Sequence, residues 1–224
     1  MKSEAPQATV RSERNPDATR QRILQAAFEE IYRKGFQGMR LDDLLAATGL
    51  TKGALYHHFT NKQALGYAVV DEVIRPMVED VWIRPLEAAA DPLVELIGLV
   101  EHIGENMGER LVTVGCPLNN LAQEMSPLDE GFRARLGEVF AAWRSAVAGA
   151  LERAKQQGSL RSELDTERTA TFVVAALEGG IGLSKNAQDP QRFAECSAAL
   201  VDYLRSLGPH GAESPSLDRA RAAG

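Results

Sequence analysis

Between a polar start that contains Pro6 and Pro16 and a polar end with Gly208, Pro209, Gly211 and Pro215, the 224-residue chain carries apolar residues at helical spacing almost throughout. No alternating apolar and polar run of useful length interrupts it, so strands are not expected. Leu24, Ala27, Phe28 and Ile31, for example, share one face of a helix. This periodicity confines the chain to an all-α fold. Capping residues, prolines and glycines divide it into about nine helices. The first begins near Asp17 and closes on Arg33-Lys34-Gly35, where cations suit the negative helix end and glycine can turn left-handed. Two short helices follow, over 41–48 and 52–58, with Gly49 between them and Thr51 as a cap. Asn61 opens a long helix from Lys62, expected to end near Pro76 or a little later. Further starts lie at Asp91-Pro92 (to about Met107), Cys116-Pro117, Ser126-Pro127 (to about Gln157-Gly158), Asp165 (166–186) and Asp189-Pro190 (190–207).

Composition excludes several classes. At 44% apolar and 25% charged residues the chain is not a disordered one. The first residues lack the apolar segment of a secretory signal, and the longest mainly apolar stretch, Ala170 to Ser184, carries Glu178 and is too short for a bilayer. No membrane association is expected. The two cysteines, Cys116 and Cys196, are far apart, which argues against a disulfide framework and fits a reducing cytoplasm. An enzyme is disfavoured because H-E-x-x-H, a phosphate-cradling glycine loop and a G-x-S-x-G elbow are all missing. His57 and His58 are adjacent on a helix, point about 100° apart and have no evident third ligand, so neither metal nor cofactor is expected.

The most informative stretch is Leu41 to Lys62, L-D-D-L-L-A-A-T-G-L-T-K-G-A-L-Y-H-H-F-T-N-K. Two short helices joined at a glycine make a helix-turn-helix unit. Leu44, Leu45, Leu50, Leu55 and Phe59 can meet Phe28 and Ile31 in a small core. Thr51, Lys52, Gly53, Ala54, Tyr56, His57 and His58 are left facing outward. Such a face suits a DNA major groove: Lys52 supplies a cation, Tyr56 a hydroxyl, and Gly53 and Ala54 permit close backbone approach. A glycine-centred helical pair is common by itself; here caps, glycine and aromatic ending coincide within 22 residues.

Residues 17–65 resemble the DNA-binding domain of the tetracycline-repressor (TetR) family of bacterial transcription regulators. The likeness rests on T-R-Q-R-I-L-Q-A-A, the K-G-F turn at 34–36, G-L-T-K-G-A-L-Y-H-H-F, and N-K-Q-A-L after it. Leu45 departs from the small residue the family often carries between the short helices. Beyond residue 70 the likeness weakens but continues through G-C-P-L-N-N-L-A-Q-E-M at 115–125. It implies a flexible arm (1–16), a three-helix DNA-binding domain (17–62), a helical ligand-binding and dimerisation domain (63–207) and a flexible tail (208–224). It also implies that Thr51, Lys52, Gly53, Ala54, Tyr56, His57, Lys62 and Arg40 face a palindromic double-stranded operator. Arg11, Arg14 and Arg20 either extend that contact from the arm or belong to a solvated tail.

One recognition helix buries too little surface for tight specific binding, so a homodimer reading two half-sites is expected. Gly179 and Gly180 in one closing helix, and Leu200, Val201 and Leu204 in the other, are its candidate interface. Trp82, His102, Met107, Asn119, Asn120, Phe140, Trp143 and Phe172 are candidates for a pocket holding an unidentified small-molecule effector, though bulky residues at helical spacing also make plain core. Cys116, just ahead of a helix start, is a candidate thiol sensor with a lowered pKa. A repressor released by its ligand is the family default. The alternatives are a cysteine-based redox or electrophile sensor and, from another class, a helical small-molecule carrier without DNA function.

The total charge of −6 argues against nucleic acid, but its distribution does not. Residues 1–62 hold 10 Lys plus Arg against 7 Asp plus Glu, a net +3, while residues 63–224 hold 15 against 24, a net −9.

Overall fold

The computed structural model describes residues 16–106 and 108–209, and every regular element among them is helical. Met107, Arg11, Arg14, and all but the first or last one or two residues of the expected arm and tail lie outside the described residues. Helix α1 spans Pro16–Gly38, α2 Leu41–Thr48 and α3 Lys52–His58. Their local reasons follow the sequence. Gly35 takes a positive φ of 77° and breaks α1 at the expected stop, and Gly49 ends α2 at φ 65°. The Thr51 hydroxyl accepts from the Ala54 N–H at 3.2 Å to cap α3. Leu44, Leu45, Leu55 and Phe59 are buried with Phe28 and Ile31, and Leu50 packs at the rim of that core.

Helix α4 begins at Lys62, where Asn61 Oδ1 accepts from Ala64 N–H at 2.7 Å, but it does not end near Pro76. It continues to Ala88 as alternating α and π turns: Lys62–Val69, Val70–Ile74, Arg75–Val78, Glu79–Ile83 and Arg84–Ala88. Pro76 and Pro85 each lack an N–H and crowd the preceding turn. One wide turn ahead of each proline absorbs the misfit. Arg75 N–H bonds Val70 O and Arg84 N–H bonds Glu79 O, five residues back rather than four.

Helix α5 is Pro92–Glu105, capped by Asp91; α6 is Glu109–Val114, a short helix not expected from the sequence; α7 is Pro117–Met125. Helix α8, Glu130–Gln156, starts three residues later than Ser126-Pro127 suggests. Its cap is Asp129, which accepts from Phe132 N–H at 2.9 Å and from the Tyr67 hydroxyl at 2.7 Å, and so also ties α8 to α4. Helices α9 (Thr166–Ala187) and α10 (Gln191–Ser206) lie within a residue or so of their expected bounds. Helix α8 runs through the middle of the body, with Phe132, Leu136, Trp143, Val147 and Leu151 buried along it, and α9 packs against both α8 and α10. No described helix is long and apolar enough to cross a membrane.

Candidate functional site

Helix α3 presents a short exposed face. Thr51, Lys52, Gly53, Tyr56 and His57 are exposed and Ala54 is half-buried, while Leu55 between them anchors the helix to the core. Period 3.6 produces this split: one apolar residue per turn suffices to hold a seven-residue helix, and the rest look outward. Two cations near this face are already paired. Lys52 Nζ lies 3.0 Å from Asp42 Oδ1, and Lys34 contacts Glu30 at 2.7 Å and Asp43 at 3.2 Å. Arg40, at the cap of α2, is exposed and has no ion pair among the described residues.

Lys62 is placed differently from the other sequence candidates. Its Nζ donates to Gln37 O at 3.2 Å and sits 4.9 Å from the centre of the Phe36 ring, turned toward the end of α1. Burial there lowers its pKa, partly offset by Glu124. Arg20 is likewise drawn inward, pairing with Glu72 (Nη2 to Oε1, 2.6 Å) and lying 5.0 Å over the Phe59 ring, so it braces α1 against α4. The missing sequence clue in both cases is long-range: the partner stands many residues away.

The same junction contains a residue that sequence reasoning did not single out for this role. Glu124, at the end of α7, accepts from the backbone N–H of Phe36 and of Gln37, both at 2.8 Å. These groups lie just past the Gly35 break, where α1 leaves its own hydrogen-bond ladder. A Cβ at Gly35 would stand 2.7 Å from Glu124 Oε2, so glycine serves both the positive φ and this close approach. Nearby, the Tyr32 hydroxyl donates to Gly115 O at 2.6 Å, and Arg110 lies 4.6 Å over the Tyr32 ring. The helix-turn-helix is thereby fastened to α7 and to the loop before it.

The other end of α7 opens on a cavity of about 320 Å³. Met77, Val78, Val81 and Trp82 of α4, His102 and Ile103 of α5, Leu111 of α6, and Cys116, Pro117 and Leu118 wall it on one side. Trp143 of α8, Leu177, Glu178 and Ile181 of α9, and Phe193 of α10 close the other. The Trp82 and Trp143 rings lie 5.0 Å apart, centre to centre. Three sequence candidates, Trp82, His102 and Trp143, therefore meet here. The others do not. Asn119 and Phe140 line a shallower groove behind Glu178. Asn120 binds Val114 O at 2.7 Å and Lys185 at 3.0 Å, and lines a separate cleft between α1 and α7. Phe172 is 50% exposed on the outer face of α9, edge-on to Tyr203.

Glu178 is the charged residue of this cavity wall, 8% exposed, and neither carboxylate oxygen has a hydrogen-bond partner among the described residues. Burial pushes its carboxyl up to about 7; the Cys116 thiol and the Asn119 amide, close by but outside good hydrogen-bond geometry, hold it only partly down. A buried acid raised from 4.5 to about 7 takes up a proton on folding, so stability falls as pH rises through that window. Glu178→Gln is expected to remove this loss: its stability advantage over the natural chain should be about 3 kcal/mol larger at pH 8 than at pH 4.5. Denaturant unfolding at the two pH values measures it, and a constant difference would mean the carboxylate is paired after all. Cys116 corrects the sequence expectation. The N–H groups of Leu118 and Asn119 do favour its thiolate, but burial and the nearby Glu178 outweigh them and push the thiol up.

The expected interface residues divide by helix face. Gly179 looks onto open space and continues an exposed α9 stripe of Phe172, Ala175, Gly182 and Leu183. Gly180 instead faces inward, where a Cβ would meet Cys196 Sγ at 2.9 Å. Leu200, Val201 and Leu204 are at most 4% exposed and belong to the protomer's own core, because their side of α10 packs on α5 and α9. Among the described residues no group of acidic, His or Cys side chains is arranged to hold a metal.

A helix-turn-helix fastened to a helical body with its own walled cavity defines a DNA-binding regulator rather than a bare carrier. Residues 23–69 match the family described as bacterial regulatory proteins, tetR family, and residues 92–200 match the tetracyclin repressor-like C-terminal domain. The chain belongs to the TetR family of transcriptional regulators. It is 28% identical to the transcriptional regulator AcuR of Cereibacter sphaeroides over 200 residues, covering 87% of each chain. It is 29% identical to the regulator LmrA of Bacillus subtilis over 84% of this chain and 97% of that one. The crystal structure of a regulatory protein TetR from Rhodobacter sphaeroides superposes with a TM-score of 0.73 at 25% identity, covering 83% of this chain and 98% of that chain.

Proposed function

We propose that this DNA-binding regulator is a homodimeric repressor whose grip on a palindromic operator is released by a small molecule in the α4–α9 cavity. The observation that carries this reading is the double linkage between cavity and DNA-facing unit. Helix α7 has Cys116, Pro117 and Leu118 in the cavity wall and Glu124 on the backbone of α1. Helix α4 has Trp82 in the wall and Lys62 on Gln37. A ligand that prefers a slightly different spacing of these walls shifts both helices, and linkage then requires DNA and ligand to weaken each other by the same factor. The π turns of α4 support the reading, since such turns within α-helices are frequent at functional sites. Thr51, Lys52, Gly53, Ala54, Tyr56, His57 and Arg40 form the proposed DNA face.

Dimerisation is assigned to the exposed α9 stripe around Gly179, flanked by Tyr203 of α10 against Phe172. The Cβ of Gly179→Arg would meet nothing within 4 Å, so the new side chain leaves α9 into open space. It is expected to yield a folded monomer in sedimentation and to lose operator affinity by at least about 100-fold, since one half-site replaces two. A Gly179→Arg protein that stays dimeric would move the interface elsewhere. The whole reading is tested by footprinting the protein on genomic DNA and repeating the footprint with candidate effectors: protection that no compound relieves would remove ligand release.

A further inference from the structure

Two buried polar groups in the cavity lack partners, and they are of opposite kind. Glu178 offers two carboxylate oxygens and the Trp143 indole one N–H; none of these has a partner in hydrogen-bond geometry among the described residues, although the Cys116 thiol and the Asn119 amide lie close enough to Glu178 to favour its charged form. Both side chains are more than nine-tenths buried and both line the cavity. Buried polar atoms are satisfied as a rule, so such a pair marks a place where something else completes the bonding. We infer that the cavity is a binding site for an apolar organic amine in its protonated form, the ammonium N–H groups donating to Glu178 and the apolar body lying against Trp82 and Trp143. This assignment rests on the proposed role of the cavity as the effector site.

Charge selects the amine over its rivals. Among the described residues no Lys or Arg lines the cavity, and Glu178 is its one acid. Arg144 is exposed in the groove behind Glu178 and makes no ion pair with it. A ligand carboxylate entering here would meet a like charge with no Lys or Arg to offset it, His102 being the one basic side chain among the described lining residues. A neutral alcohol would donate one bond and leave the second oxygen bare. An ammonium brings several N–H donors and the opposite charge, and so recovers the solvation that Glu178 gave up on folding. The paired tryptophans, 5.0 Å apart, add faces that attract a cation and enclose an apolar chain or ring. An acceptor oxygen or nitrogen elsewhere on the ligand would take the Trp143 N–H.

The test uses the full-length protein and three probes of one shape: phenylpropylamine, phenylpropanol and phenylpropanoate. Trp82 and Trp143 are the chain's two tryptophans, so quenching of tryptophan emission reports the cavity directly. Phenylpropylamine is expected to bind at least about tenfold tighter than phenylpropanol, with phenylpropanoate weakest. Glu178→Gln keeps the shape, removes the charge, and should bring the amine down to the level of the alcohol while the alcohol is unchanged. Equal binding of all three, tightest binding of the propanoate, an amine preference that survives Glu178→Gln, or no quenching by any probe overturns the assignment. Operator affinity measured with and without the amine separates this from the regulatory reading. If the amine binds as expected and operator affinity does not move, the ligand class stands and the effector role falls. If all three probes bind alike and each shifts operator affinity, the effector role stands and the amine assignment falls.

Discussion

A Lys52→Ala, Tyr56→Ala double variant is expected to bind operator DNA about 100-fold more weakly than the natural chain, and to lose about one unit from the slope of log affinity against log salt. Both side chains are exposed on α3, whose anchoring falls to Leu55 and Phe59; Lys52 adds only its exposed pair with Asp42. The fold should therefore survive, and the loss should be similar on specific and unrelated sequences, because a lysine and a tyrosine hydroxyl on phosphates carry little base information. Lys62→Ala is the contrasting case. Its ammonium is spent on Gln37 O and the Phe36 ring, so it should lower thermal stability and leave the salt slope alone. Anisotropy titrations over a salt series decide between the two. A slope that drops for Lys62→Ala and holds for the double variant would exchange their roles.

The second large effect is expected at Glu124. Glu124→Ala leaves the N–H groups of Phe36 and Gln37 without their acceptor and should cost about 2 kcal/mol, in the range for hydrogen bonds to a charged group. That corresponds to roughly 30-fold faster amide exchange at those two positions if they open locally. Regulation should suffer more than stability. With α7 released from α1, an effector in the cavity should change operator affinity much less than in the natural chain, while its own binding is nearly unaffected. Glu124→Gln keeps one acceptor oxygen and should fall between. Exchange protection at residues 36 and 37 that is unchanged by Glu124→Ala would remove this link.

What was legible in advance divides by the range of the interactions. Helix positions followed from local chemistry: Thr51, Asn61, Asp91 and Asp165 all cap the helices they were expected to cap. The errors have causes that a local reading does not contain. Asp129 displaced Ser126 as the cap of α8 because it also takes the Tyr67 hydroxyl, a bond to a residue 62 positions away. Helix α4 passed Pro76 because π turns offered a way to continue that a strict 3.6 period does not contain.

The sequence by itself determined the all-α class, the helix-turn-helix and the outward face of α3, since each depends on spacing within a few residues. Which bulky residues share a cavity, and which closing-helix residues remain exposed, depends on how distant helices pack. Phe172 and Trp143 look alike in the sequence, yet one is half exposed and the other closes the cavity. Leu200, Val201 and Leu204 read as a free apolar stripe until α5 and α9 cover them. Cys116 shows the same limit in electrostatics. Its place at a helix start favours the thiolate, but the field it feels is set by burial and by Glu178, brought beside it from 62 residues further along the chain.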